Sequence, residues 1–215
     1  MNTASHITEH NASIEEAIKT AAMKVFLKNG FKGARLQEIA DLAGINRAML
    51  HYYFRSKEKL FEMVFREVIM KMHVRLTDVL QSSLPVKEKI LAFVEHFVLD
   101  GLANPDFDCF FVNEFAQHPE LLDEIIFCKG REKPLLLFKR EIEEANARGE
   151  IKADAHMLIM NMLSLCAFPF VAKNMFQSIF QIDNQQLEQL IRDRLVVIQK
   201  MLIDSISIAA PVQQQ

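Results

Sequence analysis

GFKGARLQEIADLAGINRAMLHYYFRSKEK, running from Gly30 to Lys59, holds two apolar sets at helical spacing on either side of one glycine. Leu36, Ile39, Ala40 and Ala43 form the first set, and Ile45, Met49, Leu50, Tyr53 and Phe54 the second. Gly44 supplies the left-handed position that a tight turn needs, and Asn46 is placed to cap the helix that follows. Two short helices crossed by such a turn make a helix-turn-helix, whose second helix offers its outer face to a major groove.

Working outward, Ser13 and Glu16 have the spacing of a capping box. Ile14, Ala17, Ile18, Ala21, Ala22, Val25 and Phe26 then trace one helical face up to the stop at Asn29-Gly30. Helices at 36–43 and 46–53 complete a three-helix head. Ser56 caps a fourth helix, expected to reach about Ser83, whose apolar stripe from Leu60 to Leu80 is too wide for burial on one side and so should touch two bodies. Further helices are expected at 86–103, 107–117, 119–130, 132–148, 154–181 and 184–208, separated by Pro105, Pro119, Pro134 and Gly149, with a kink at Pro169. The reading is all-α, with nine to ten helices. Residues 1–12 form a flexible N-terminus, 13–56 the helix-turn-helix domain, 57–208 a helical ligand-binding and dimerisation domain, and 209–215 a frayed tail.

With 215 residues, half of them hydrophobic, the chain has enough apolar material for a substantial core. No apolar run is long enough to span a bilayer, and the N-terminal segment lacks the basic and apolar regions of a signal peptide, so a soluble cytoplasmic protein without membrane association is expected. Three widely spaced cysteines, Cys109, Cys128 and Cys166, suggest neither a disulfide framework nor a thiolate metal site. The net charge of −3 hides an asymmetry: residues 1–75 carry 12 basic against 8 acidic side chains, and residues 76–215 carry 13 against 20. The basic part holds the reader motif, as suits a protein that turns one end toward phosphates.

Residues 14–60 resemble the N-terminal domain of TetR (tetracycline repressor) family transcription regulators. The resemblance is carried by the order of elements: the helix ending in Asn29-Gly30-Phe31, then Ile39-Ala40, Ala43-Gly44-Ile45, Leu50, Tyr52-Tyr53-Phe54 and Ser56-Lys57-Glu58-Lys59-Leu60. It implies a homodimer that sets two heads in successive major grooves of a near-palindromic double-stranded DNA operator, with a small-molecule effector bound in the C-terminal domain and repression as the default outcome. Two positions depart from the family pattern. Ala34 stands where a threonine often opens the second helix, leaving Arg35 to substitute for its cap and phosphate contact. His51 replaces the first tyrosine of the recognition helix.

The expected DNA-contacting set is Arg35, Leu36, Asn46, Arg47, Ala48, Met49, His51, Tyr52, Tyr53 and Lys57. Arg47 is the candidate base reader, since its fork can donate two hydrogen bonds to guanine O6 and N7. Ala48 or Met49 would meet a thymine methyl, while His51, Tyr52 and Lys57 would fix register on phosphates. The only two tyrosines of the chain, Tyr52 and Tyr53, lie side by side here, against seventeen phenylalanines. Tyr53 reads equally well as a core residue whose hydroxyl reaches the surface.

Twelve of the phenylalanines follow Pro85, and with the methionines of 157–175 they suggest a soft pocket for an apolar or amphipathic ligand. Its expected lining is Phe93, Phe97, Phe110, Phe111, Asn113, Glu114, Gln117, His118, Met162 and Phe168. The same aromatics serve a core or a dimer seam equally well. The last two long helices carry stripes read as that seam: Leu158, Met162, Leu165 and Cys166 on one, Leu187, Leu190, Ile191, Leu195, Ile198 and Leu202 on the other.

Enzyme chemistry finds little support, since the chain has no Gly-rich phosphate loop, serine elbow or HExxH, and no cofactor is implied. Glu114 and His118 stand at i, i+4 but have no third ligand for a metal. A cysteine redox sensor would need a basic neighbourhood, which only Cys128 approaches. The alternative from another class is a helical interaction module whose degenerate helix-turn-helix no longer binds DNA, a reading that the Ala34 and His51 departures keep open.

Overall fold

The computed structural model describes residues 3–117 and 134–207. These form ten helices and no strand: α1 (Thr3–Gly33), α2 (Leu36–Leu42), α3 (Arg47–Tyr53), α4 (Lys57–Leu80), α5 (Val86–Ala103), α6 (Phe107–Gln117), α7 (Pro134–Ala147), α8 (Ala155–Val171), α9 (Lys173–Phe180) and α10 (Asn184–Ile206). The helix expected at 119–130 lies outside the described residues.

Local sequence rules set most of the boundaries. The Asn46 side-chain oxygen accepts the Met49 N–H at 2.8 Å, Ser56 accepts from Lys59, and Asp183 with Gln186 closes a full capping box at the start of α10. At the end of α2 the Ile45 N–H reaches the Ala40 carbonyl and the Gly44 N–H that of Asp41, with Gly44 at φ 69°. This is the Schellman arrangement, and its left-handed residue strains any side chain bearing a Cβ. The Ser13 box does not open α1, however. The helix begins at Thr3, because residues upstream of the box contain no breaker and continue the same coil.

Two hydrophobic clusters organise the chain. Ile18, Ala22, Phe26, Ile39, Leu50, Phe54, Leu60 and Phe65 form the core of a head, and Phe110 of α6 joins them. Leu80, Ile90, Phe93, Phe138, Ile142, Leu158 and Met162 belong to the second cluster, that of the body. Each fully buried leucine or phenylalanine contributes about 2 kcal/mol relative to exposure. Helix α4 gives Leu60, Phe61, Val64 and Phe65 to the head and Leu80 to the body, as its wide stripe predicts. Its C-terminal end is fastened by buried Lys89, whose Nζ donates to the Leu80 carbonyl at 2.8 Å and to Glu141 of α7 at 2.5 Å. Helix α6 is the second link, packed on α1 in the head and on α8 in the body.

Two expectations for the body change. The segment at 154–181 is not one kinked helix: α8 and α9 meet at 67° with the break at Ala172, three residues beyond Pro169. Pro169 has no N–H for the Leu165 carbonyl four residues back, and Arg194 of α10 donates Nη1 to that carbonyl at 2.6 Å, so the helix survives the proline. The stripes read as a dimer seam are largely the inside of the protomer. Leu158, Met162, Cys166, Leu187, Ile191, Ile198 and Leu202 are buried in the body core, Leu165 and Leu195 pack half-buried against it, and Leu190 is exposed. A stripe on a wheel does not say what covers it, and here α5, which packs extensively on α10, takes that place.

Candidate nucleic-acid interface

The recognition helix is held from behind. Leu50 and Phe54 are buried in the head core, which fixes the rotation of α3 and leaves Arg47, Ala48, Met49, His51 and Tyr52 on its exposed side. Tyr52 is 83% exposed, and its ring meets that of Tyr53 edge-on at 5.5 Å. Tyr53 divides differently: its ring packs against the core, and its hydroxyl donates to Asn11 Oδ1 at 2.8 Å. It buttresses α3 on α1 instead of pointing outward. Asn46 spends its oxygen on the cap of α3. Leu36 packs half-buried against the head core, away from the exposed set. Arg35 occupies the N-cap position of α2, is exposed, and makes no side-chain cap, so the missing threonine hydroxyl has no replacement there.

The start of α4 completes the surface. Ser56 caps it, and the Glu58 carboxyl is held below the usual range by its own backbone N–H and by Ser56. Lys57 is half-buried. Its Nζ lies 4.8 Å from the centroid of the Phe31 ring and donates weakly to the Lys32 carbonyl at 3.4 Å. The ammonium thus rests on the end of α1, whose Lys28 and Lys32 are exposed.

The residues expected to line one ligand pocket are divided between the two cores. Phe93 and Met162 are buried in the body, with Phe97 packed 5.7 Å from Phe93. Phe168 is exposed and meets Phe176 edge-on. Phe110 and Phe111 pack on the head, where Phe110 lies 5.7 Å from Phe65. Glu114 is buried and accepts the Phe31 N–H at 3.0 Å. Asn113 is exposed and close to Cys109 Sγ. The Gln117 side chain and His118 lie outside the described residues, which leaves the Glu114–His118 pair without a geometry. Sequence reasoning missed Asn11, Phe31 and Arg194, all of which act across long separations. A faint signal for Phe31 was its place directly after the helix-ending glycine.

Residues 18–64 match the family model described as bacterial regulatory proteins, tetR family. Over 55 residues the chain is 46% identical to the HTH-type transcriptional regulator RutR of Escherichia coli, covering 26% of each protein. The chain thus matches about a quarter of the length of that relative. It is 30% identical over 155 residues to the HTH-type transcriptional repressor BepR of Brucella suis, covering 66% of this chain and 71% of BepR. Among solved structures, the transcriptional regulator FadR from Bacillus subtilis in complex with stearoyl-CoA superposes with a TM-score of 0.64, covering 89% of this chain and 99% of that one at 19% identity. That last likeness is one of fold.

Proposed function

Since the chain belongs to the tetR family of bacterial regulatory proteins, we propose that it is a cytoplasmic transcriptional repressor that binds a near-palindromic operator as a homodimer and lets go when a small apolar or amphipathic effector binds its body. The observation that carries the reading is the outer face of α3, where Arg47, Ala48, His51 and Tyr52 stand exposed on a helix whose rotation is locked by Leu50 and Phe54. A short helix held this rigidly can read bases, and its Arg47 fork suits guanine. Tyr52, His51 and Lys57 supply phosphate contacts that fix register.

The homodimer rests on a different set of residues from the buried stripes. Met157, Met160 and Phe168 on α8 and Leu190, Val197 and Met201 on α10 are exposed apolar side chains on two helices that pack on each other. A second copy would cover them and space two α3 helices about 34–36 Å apart, or a multiple of that, for successive half-sites. The effector class is supported by the phenylalanine- and methionine-rich body and by the stearoyl-CoA bound to FadR, a protein of the same fold.

The test is fluorescence anisotropy with DNA from upstream of the chain's own gene, against a scrambled competitor, at two salt concentrations. An operator-specific regulator binds tightly, loses affinity steeply with salt and resists the competitor. Arg47→Ala should relax preference at one position of each half-site, a loss of about 1–3 kcal/mol there. Equal, salt-insensitive binding to both DNAs favours the helical interaction module instead.

A further inference from the structure

Helix α1 is broken at Gly30, whose φ of 64° and ψ of 176° leave the helical region. The next N–H, that of Phe31, donates across 83 residues to Glu114 Oε1 on α6. Glu114 is 4% exposed, and its Oε1 lies beside the Gly30 backbone, 3.4 Å from where a Cβ would stand, while the φ of +64° is what favours glycine there. Taking a carboxylate this far out of water is costly unless it is well bonded, which gives its bond to the backbone structural weight.

The Phe31 ring reaches α6 indirectly, through Phe61 of α4. It lies 4.8 Å from Phe61, and Phe61 lies 6.1 Å from Phe110, four residues and about one helical turn before Glu114 on α6. Over the Phe31 ring stands the Lys57 ammonium, 4.8 Å from its centroid. Main chain and ring of one residue thus stand between a buried carboxylate of α6 and a cation at the start of α4. We propose that Glu114 is a positioning residue for DNA binding: through Phe31 it sets where the Lys57 ammonium stands, and α6, packed on α8, ties that position to the body. This rests on the reading of the head as a DNA binder. The pair Glu114 and Lys57 share no contact, so their coupling runs through Phe31.

The experiment uses the full chain with the substitutions Glu114→Ala, Glu114→Gln, Lys57→Ala and the Glu114→Ala/Lys57→Ala double change. A labelled random-sequence DNA duplex serves as the probe over a salt series, so that no operator need be known. Lys57→Ala should lower the salt slope by about one and weaken binding about threefold at moderate salt, the effect of one phosphate contact. Glu114→Ala should do the same although Lys57 keeps its charge, and the double change should add nothing further. Glu114→Gln, which keeps an oxygen acceptor, should retain the original slope. A role of Glu114 as mere negative charge predicts the opposite sign, tighter binding for both Glu114 variants, and overturns the proposal. So does an unchanged slope in a folded Glu114→Ala chain. Should that variant fail to melt cooperatively, Phe31→Leu, which keeps the N–H and removes the ring, must show the same lost slope. The Lys57 Hε resonances give a readout without DNA: the Phe31 ring shifts them upfield, and Glu114→Ala should move them toward the free lysine value. A native chain that binds no duplex refutes the DNA reading, while the Hε shift still decides the positioning role.

Discussion

Asp108 shows how far one side chain can depart from its ordinary chemistry. It lies in the first turn of α6, and burial, with the nearby Asp100 carboxylate acting in the same sense, pushes its carboxyl up to about 7 from 3.8. Between those values the folded chain holds a proton that the unfolded chain has released, so the stabilisation is complete below about pH 4 and is lost as pH rises through 7. Urea denaturation from mildly acidic to mildly alkaline pH should show the native chain weakening relative to Asp108→Asn, by at most a few kcal/mol. Parallel curves for the two chains would show that Asp108 titrates normally. Cys166 sits in the same region. Burial pushes its thiol up to about 12, with Asp108 adding to the rise and Arg194 opposing it. The thiolate is the nucleophile, so iodoacetamide should leave Cys166 untouched in the folded protein and alkylate it only after unfolding. Rapid labelling under native conditions would contradict its placement in the body core.

At the level of elements, the interaction worth testing is the one that lets α8 carry a proline. Arg194→Met leaves the Leu165 carbonyl without its donor and should lower stability by about 1–3 kcal/mol. Pro169→Ala restores a backbone N–H at that position, so the Arg194 change should cost less in its presence. Urea melts of the four chains in that cycle measure the coupling, and strict additivity would mean the two residues act independently. The same region shows where sequence is legible. Caps, turns and the inward pair Leu50 and Phe54 follow from residues within a few positions of one another, and they lie where the spacing places them. The start of α1 differs from the Ser13 expectation because a capping box permits a helix to begin but does not stop one already formed. Sequence alone leaves Glu114 with the pocket residues because nothing within reach of it in sequence reveals Phe31, 83 residues away. The body stripes follow the same rule: periodicity gives the apolar face of a helix and leaves its partner open, here α5 and the body core.

On the scale of the whole molecule, α4 and α6 are, among the described residues, the chief elements shared by the two cores. The body in turn leaves apolar side chains in water on α8 and α10. Stable interfaces cover about 800 Å² per partner, and exposed apolar patches beyond a few hundred Å² mark contact sites. Val197 and Met201, 53% and 52% exposed and one turn apart on α10, are where a second copy would be felt most without disturbing the protomer. The double substitution Val197→Glu/Met201→Glu should therefore leave the protomer folded with a cooperative melt, lowered only by the loss of association and no longer dependent on protein concentration, while sedimentation moves from dimer to monomer. Operator affinity should fall by at least a hundredfold, roughly the benefit of making the second head's binding intramolecular. Leu187→Glu is the contrasting control: Leu187 is buried in the body core, so its replacement should unfold the protomer outright. A Val197→Glu/Met201→Glu chain that still sediments as a dimer would place the seam elsewhere and return Met157, Met160 and Phe168 to ordinary surface.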